Sequence, residues 1–193
     1  MARFNNFYES INSSILRDYC LEYGNVNAYD KGAYFLHEGD VGKLLGFVSE
    51  GYFKYTAIDS KGVESVVGFV FEGECVVDFA SSVAFRRKSN VSIVAGCQAS
   101  VFEVPVVEFR DFVMKEHPSF INDTSAVLFA EGYKRYLDIY RKTPTERYID
   151  LINEHPDIVN TVTFRDLASY LMITPVYLSK IRKKLADRRL YDI

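Results

Sequence analysis

Between residues 25 and 104 the sequence is cut into short β-branched and aromatic runs. They cover residues 33–36, 44–49, 52–58, 63–70, 75–77, 91–95 and 99–104. Turn signals separate most of them: Asp30-Lys31-Gly32, Glu38-Gly39-Asp40, Glu50-Gly51, Asp59-Ser60-Lys61-Gly62 and Glu72-Gly73. Many short strands at close spacing predict a sandwich or a small barrel. The runs 44–49 and 52–58, on either side of Glu50-Gly51, predict a tight hairpin.

Helical patterns flank this region. Residues 4–22 predict a helix, with Phe7, Ile11, Ser14, Ile15 and Leu21 near helical spacing and Gly24 as the stop. Pro105 opens a short helical segment to residue 116, which His117-Pro118 breaks. A long helix follows over residues 119–140. Ala126, Phe129, Ala130, Tyr133, Leu137 and Tyr140 share one stripe of it, and Phe120, Ile121 and Leu128 lie off that stripe. A helix apolar on two faces has two surfaces to bury: one against the barrel, one against a partner helix. Thr143-Pro144-Thr145-Glu146 then supplies a Thr cap, Pro at the first helical position and Glu three residues after the cap. That helix runs to residue 154, and His155-Pro156 ends it.

Residues 161–188 are the most informative. Thr163 caps a helix starting at Phe164, with Asp166 at its positive end and Leu167, Ala168 and Leu171 facing inward. It ends at Met172-Ile173. Thr174-Pro175 is a second cap followed by Pro. The second helix buries Leu178, Ile181 and Leu185. Two short helices a few residues apart, each with a narrow apolar stripe, form a helix-turn-helix pattern. The outward face carries Val176, Ser179, Lys180 and Lys183, flanked by Tyr177 and Arg182. From Pro175 to Tyr191 there are six Lys/Arg and one acid, Asp187. Small and polar residues near a helix start, with cations beside them, suit approach to base edges and phosphates. The competing reading is a solvated basic helix end; the two caps, two stripes and short turn favour DNA.

Charge supports the same division. Residues 141–193 hold 10 Lys/Arg against 7 Asp/Glu, whereas residues 1–140 hold 13 against 19, within a net charge of −3 over 193 residues. Such asymmetry suggests that one end meets a polyanion. Cys20, Cys75 and Cys97 are odd in number and far apart, which fits reduced thiols in the cytoplasm and cannot supply the four thiolates of an iron–sulfur centre. The N-terminus lacks a signal pattern, and no apolar run reaches membrane-spanning length, so no membrane partner is expected. His37, His117 and His155 are dispersed, unlike paired metal ligands, and no metal is expected. Glu72 and Glu74 beside the turn glycine are expected to be solvated. With no nucleophile elbow or Walker loop, no enzyme is expected.

Taken in order, these segments resemble the Crp/Fnr family of bacterial transcription regulators over nearly the whole chain. The resemblance is carried by Lys31-Gly32-Ala33 through Leu36-His37-Glu38-Gly39-Asp40, by residues 44–51, and by residues 163–185 with Tyr177-Leu178-Ser179-Lys180-Ile181-Arg182. It implies an α+β protein. A jelly-roll (double-stranded β-helix) sensor barrel would span residues 1–118, a long dimerisation helix 119–142, and a winged helix-turn-helix domain 143–193. It implies a homodimer through Ala126, Phe129, Ala130, Tyr133, Leu137 and Tyr140, and double-stranded DNA bound through Thr174, Val176, Tyr177, Ser179, Lys180, Arg182 and Lys183. RNA polymerase is a further implied partner. The effector of such barrels is a cyclic nucleotide, and here its motif is degenerate. Val77-Asp78 stands where Gly-Glu is expected, and the later Arg falls near Lys88-Ser89-Asn90, after Arg86 and Arg87. The effector site the resemblance implies is therefore Val77, Asp78, Arg86, Arg87, Lys88 and Ser89. Met172 replaces a usual turn glycine, and the chain leaves room for at most one wing strand. An effector would act by posing the reader domains through a hinge near Arg141-Lys142-Thr143. The alternative function is a small-ligand sensor or interaction module whose C-terminal helices bind protein.

Overall fold

A computed structural model describes residues 4–5 and 13–191, with residues 188–191 described by their backbone alone. The chain divides into two compact units, Met1–Lys134 and Arg135–Ile193.

The first unit is built on eight strands: β1 (Asn25–Tyr29), β2 (Tyr34–Leu36), β3 (Leu44–Glu50), β4 (Tyr52–Ile58), β5 (Glu64–Phe71), β6 (Cys75–Val76), β7 (Ser92–Ala95) and β8 (Ala99–Pro105). They form two antiparallel four-stranded sheets, ordered β1-β8-β3-β6 and β2-β7-β4-β5. With the helices, this is the α+β jelly roll the sequence suggested. Period-two alternation gives the first sheet two buried faces. Val48, Val76, Ala99 and Val101 meet Phe53, Val70, Ile93 and Ala95 of the other sheet. Leu45, Cys75 and Val104 point the opposite way, into a second core with α1 (Ser13–Tyr23), α2 (Val106–Glu116) and the start of α3 (Phe120–Arg141).

The hairpin expected at Glu50-Gly51 does not form. β3 and β4 lie in different sheets, so Gly51 is a corner between sheets. Its φ is +80°, and a Cβ there would lie 2.5 Å from the Gln98 carbonyl oxygen and 2.9 Å from the Ala99 Cα. Only a glycine fits that backbone and that approach. The real hairpin joins β4 to β5 over Asp59–Gly62. Asp59 Oδ1 accepts the N–H groups of Lys61 and Val63 at 2.8 and 2.9 Å.

Further expectations change. Phe4 is not helical: its ring packs edge-on against Phe69 and Phe71, and α1 is described from Ser13 on, while Phe7 and Ile11 lie outside the described residues. Within α1 the buried residues are Ser13, Leu16 and Cys20, and Leu21 is exposed, because the stripe sits one position away from the one expected. β1, absent from the sequence reading, is a mostly exposed edge strand held by its ladder to β8. Glu74 is buried. Its carboxylate accepts the Asn5 N–H at 2.7 Å, the Asn5 side-chain amide at 2.8 Å and the Phe71 N–H at 3.0 Å. A buried carboxylate needs such donors, and they come from a distant segment and a turn.

The second unit is helical. It contains the end of α3, then α4 (Pro144–Glu154), α5 (Ile158–Thr161), α6 (Phe164–Tyr170) and α7 (Pro175–Tyr191). Thr143 and Glu146 form the expected capping box of α4, and Thr163 Oγ1 accepts the Asp166 N–H at 3.1 Å to cap α6. Its core is Tyr148, Leu151, Ile158, Val162, Leu167, Ala168, Leu171, Leu178 and Ile181. No wing strand lies among the described residues of this unit, because α7 continues as helix through the positions where one would start.

The two left-handed glycines Gly51 and Gly62 make a paired test. A Cβ at Gly62 meets nothing within 4 Å. Gly62→Ala should cost about 1–2 kcal/mol from backbone conformation alone. Gly51→Ala adds overpacking and should cost roughly 3 kcal/mol or more. Urea unfolding midpoints measure both, and equal losses would show that the corner has room to spare.

Candidate functional site

Three surfaces carry the residues singled out from the sequence. The first lies in the barrel, where β6 leads into a π-turn over Phe79–Ala84. Asp78 caps this turn. Its Oδ1 accepts the Ser81 N–H at 3.1 Å, and its Oδ2 accepts the Ser89 hydroxyl at 2.6 Å. Val77 is held through its backbone: the Tyr55 hydroxyl donates to its carbonyl at 2.9 Å and accepts its N–H at 3.3 Å. Burial pushes the Tyr55 phenol well above its ordinary value, so it stays protonated and can donate. Ser89 is buried and tied to a third segment. Its N–H donates to the Asp40 carbonyl at 2.8 Å and its carbonyl accepts the Gly39 N–H at 2.9 Å.

The structure therefore brings Val77, Asp78 and Ser89 together. Arg86, Arg87 and Lys88 are exposed. Arg86 takes a left-handed φ of +50°, and the Arg87 guanidinium stacks over its neighbour Phe85, 5.1 Å from the ring centre. The sequence reading missed the cation that acts on the π-turn. Arg110 of α2 donates to the carbonyls of Val83 and Ala84 at its C-terminal end. No local spacing links Arg110 to residues 26 or 27 positions earlier.

The second surface is α3. Phe120, Ile121, Val127 and Leu128 join the core under the helices of the first unit. The other stripe is open in the single chain. Within the first unit Phe129 is 74% exposed and Tyr133 54%, their rings stacked 6.1 Å apart, and Ala126 and Ala130 are exposed with them. Within the second unit Tyr140 is 72% exposed and Leu137 half-buried.

The third surface is the helix pair α6 and α7, joined by a short turn. Leu178 and Ile181 are buried and Leu185 is half-buried, as the spacing required. Opposite them Val176, Tyr177, Ser179, Lys180 and Lys183 are exposed. Thr174 Oγ1 accepts the Tyr177 N–H at 3.2 Å, so Thr174 is the cap of the second helix. Arg182 is exposed too, with its guanidinium 5.7 Å from the Phe164 ring centre, braced on the first helix. The side chains of Arg188 and Arg189 lie outside the described residues.

Cations also organise the rest of this unit. Arg147 donates to the carbonyls of Lys142 at 3.0 Å and Leu171 at 2.9 Å, tying the end of α3 to the end of α6. The Arg135 guanidinium lies 4.9 Å over the Tyr170 ring. Lys142 pairs with Asp138 and Asp150, each at 2.9 Å, and these hydrogen bonds hold its ammonium well above its ordinary value. The segment expected to be a hinge, Arg141-Lys142-Thr143, is thus laced into the second unit, whose boundary falls between Lys134 and Arg135.

Residues 26–116 match the family model of the cyclic nucleotide-binding domain. The fold is shared with FixK2 from Bradyrhizobium japonicum: 17% identity, 86% of this chain and 85% of that one covered, TM-score 0.65. It is shared with the c-di-GMP responsive global regulator CLP of Xanthomonas campestris: 16% identity, 92% and 93% covered, TM-score 0.61. It is also shared with the catabolite activator protein of Thermus thermophilus: 16% identity, 94% and 87% covered, TM-score 0.55. No curated protein matches the chain in sequence. The barrel thus resembles the cyclic nucleotide-binding domain over residues 26–116, and the chain shares its fold with these three proteins.

Met172, in the turn between α6 and α7, has a φ of +59° and an exposed side chain. A left-handed Met costs about 1–2 kcal/mol, while Gly costs roughly 0.5–1 kcal/mol of unfolded-chain entropy. Met172→Gly should therefore gain up to about 1 kcal/mol in guanidinium unfolding. A loss of stability would mean that the Met side chain itself holds the turn.

Proposed function

We propose that this chain, a cyclic nucleotide-binding-type domain on a Crp/Fnr-type fold, is a non-enzymatic transcription regulator that binds specific DNA as a homodimer in the cytoplasm. One observation carries the reading. The second helix of the helix-turn-helix buries Leu178 and Ile181 and leaves Val176, Ser179, Lys180 and Lys183 exposed on its other side. A helix so arranged can enter a major groove. Lys180 suits the acceptors on a guanine edge, Val176 or Tyr177 a thymine methyl, and Lys183 a phosphate.

The open aromatic stripe of α3 supports the dimer. Phe129, Tyr133 and Tyr140 leave large apolar rings in water, and an identical helix is the simplest cover for a stripe that runs along one helix. Two copies would then present two reader helices to the two half-sites of a near-palindrome.

Duplex affinity should fall steeply with salt, with a slope of about −0.9 per phosphate neutralised on a log–log plot. Lys183→Ala should lower that slope by about 1 across all sequences, and Lys180→Ala should cost about 1–3 kcal/mol mainly on the preferred site. Unchanged binding in both variants, with the fold intact, would assign the helix to a protein partner instead. Replacing Phe129 and Tyr133 together by Glu should convert the dimer to monomer in sedimentation equilibrium. A variant that sediments as a dimer rules out this stripe as the interface.

A further inference from the structure

A cyclic phosphodiester is an anion whose phosphate oxygens only accept hydrogen bonds. A site for it must supply converging donors and nearby positive charge. In this barrel two of the donors at the π-turn are already spent on a carboxylate, while the Ser82 hydroxyl is buried without a partner among the described residues. The Ser81 N–H goes to Asp78 Oδ1 at 3.1 Å and the Ser89 hydroxyl to Oδ2 at 2.6 Å. Ser89 Oγ also lies 2.8 Å from the Val91 carbonyl, but a hydroxyl has one proton, and the shorter contact to the charged acceptor takes it. The Val77 N–H, where the backbone would meet a ligand, is taken by Tyr55. The cations do not offset this. Arg110 is engaged with Val83 and Ala84, Arg87 is stacked on Phe85, and Arg86 and Lys88 face solvent. A phosphodiester brought here would meet a like charge and would have to break two existing hydrogen bonds. The residues present do not fit a cyclic nucleotide.

We propose that the Asp78 carboxylate is a resident anion in this barrel, occupying two donors a phosphodiester would need and closing the domain to cyclic nucleotides. The carboxylate ties the π-turn to Ser89, and Ser89 ties both to Gly39 and Asp40. The chain itself thereby makes the connection between these segments that a bound effector would otherwise make. This does not rest on the DNA-binding reading, and its readout is in the barrel alone.

The test uses the full chain with cyclic AMP, cyclic GMP and inorganic phosphate as probes, followed by calorimetric titration and thermal melting. The wild-type protein should give no saturable heat and no rise in melting temperature at probe concentrations up to about 1 mM, weaker than any useful affinity. Saturable binding of either nucleotide by the wild type overturns the proposal. Asp78→Ala frees both donors. It should melt lower than wild type and gain a dose-dependent rise in melting temperature with phosphate or cyclic AMP. A folded Asp78→Ala protein that stays silent to every probe overturns the claim that the carboxylate is what keeps anions out. Should Asp78→Ala fail to fold, Asp78→Asn removes the charge while keeping an acceptor, and the same two outcomes decide. Ser89→Ala supplies a separate check. Combined with Asp78→Asn it should lower the melting temperature no further than the worse single change, because both break one tie; additive losses overturn the tie.

Discussion

The apolar contact between the two sheets, with Phe53, Val48, Ile93 and Val101 fully buried in it, is the constraint from which the rest of the first unit follows. It obliges the sheet β1-β8-β3-β6 to serve two cores, because its residues alternate between the facing sheet and the helices. β6 is only two residues long, yet it sends Val76 into one core and Cys75 into the other. That pinning fixes where the next residues must be. Val77 and Asp78 leave the sheet at a set place, and the π-turn begins with its cap already positioned. A carboxylate placed this rigidly can make short hydrogen bonds without losing much side-chain freedom, which is why it competes well for the donors around it.

What the sequence revealed and what it hid divide along the range of the interactions. The caps at Thr143, Thr163 and Thr174, and the stripes Leu167-Ala168-Leu171 and Leu178-Ile181, depend on residues three or four positions apart, so the second unit could be drawn almost residue by residue. Strand positions were also visible, since alternation and turn residues are local. Strand pairing was not. Glu50-Gly51 carries the signature of a hairpin, but the same glycine serves a corner whose need for it comes from Gln98 and Ala99, far along the chain. Glu74 looked like a surface acid because its donors at Asn5 are 69 residues away. Of the effector residues singled out, Val77, Asp78 and Ser89 meet, while Arg86, Arg87 and Lys88 stay in solvent. A charge in a sequence says nothing about whether a better-placed cation, here Arg110, already serves the turn.

The second unit is held by a different device. Helix ends leave carbonyls without intrahelical partners, and in a small unit several of those ends lie close together. Arg147 satisfies two of them at once, from α3 and α6, and Arg135 and Lys142 add further ties from the end of α3. A hydrogen bond to a charged donor is worth about 1.5–3 kcal/mol, so such ties are large compared with what a short helix gains from propensity. Their consequence is that residues 135–141 belong to the second unit although they continue the helix of the first unit.

The charge division gives this arrangement an electrostatic direction. Residues 1–140 carry six more acids than bases, and residues 141–193 carry three more bases than acids. If the reader meets DNA as proposed, the polyanion attracts one end of the chain and repels the other. Repulsion of the acidic part removes binding modes that use the barrel surface, and such modes would otherwise compete, because phosphate attraction is indifferent to sequence. On that proposal the net charge of −3 would favour specificity, weakening nonspecific encounters more than the short-range contacts proposed for Ser179, Lys180 and Lys183. An internal carboxylate at Asp78 belongs to the same economy of charge. It satisfies its donors without recruiting a diffusing anion, so the barrel reaches its tied state with nothing added.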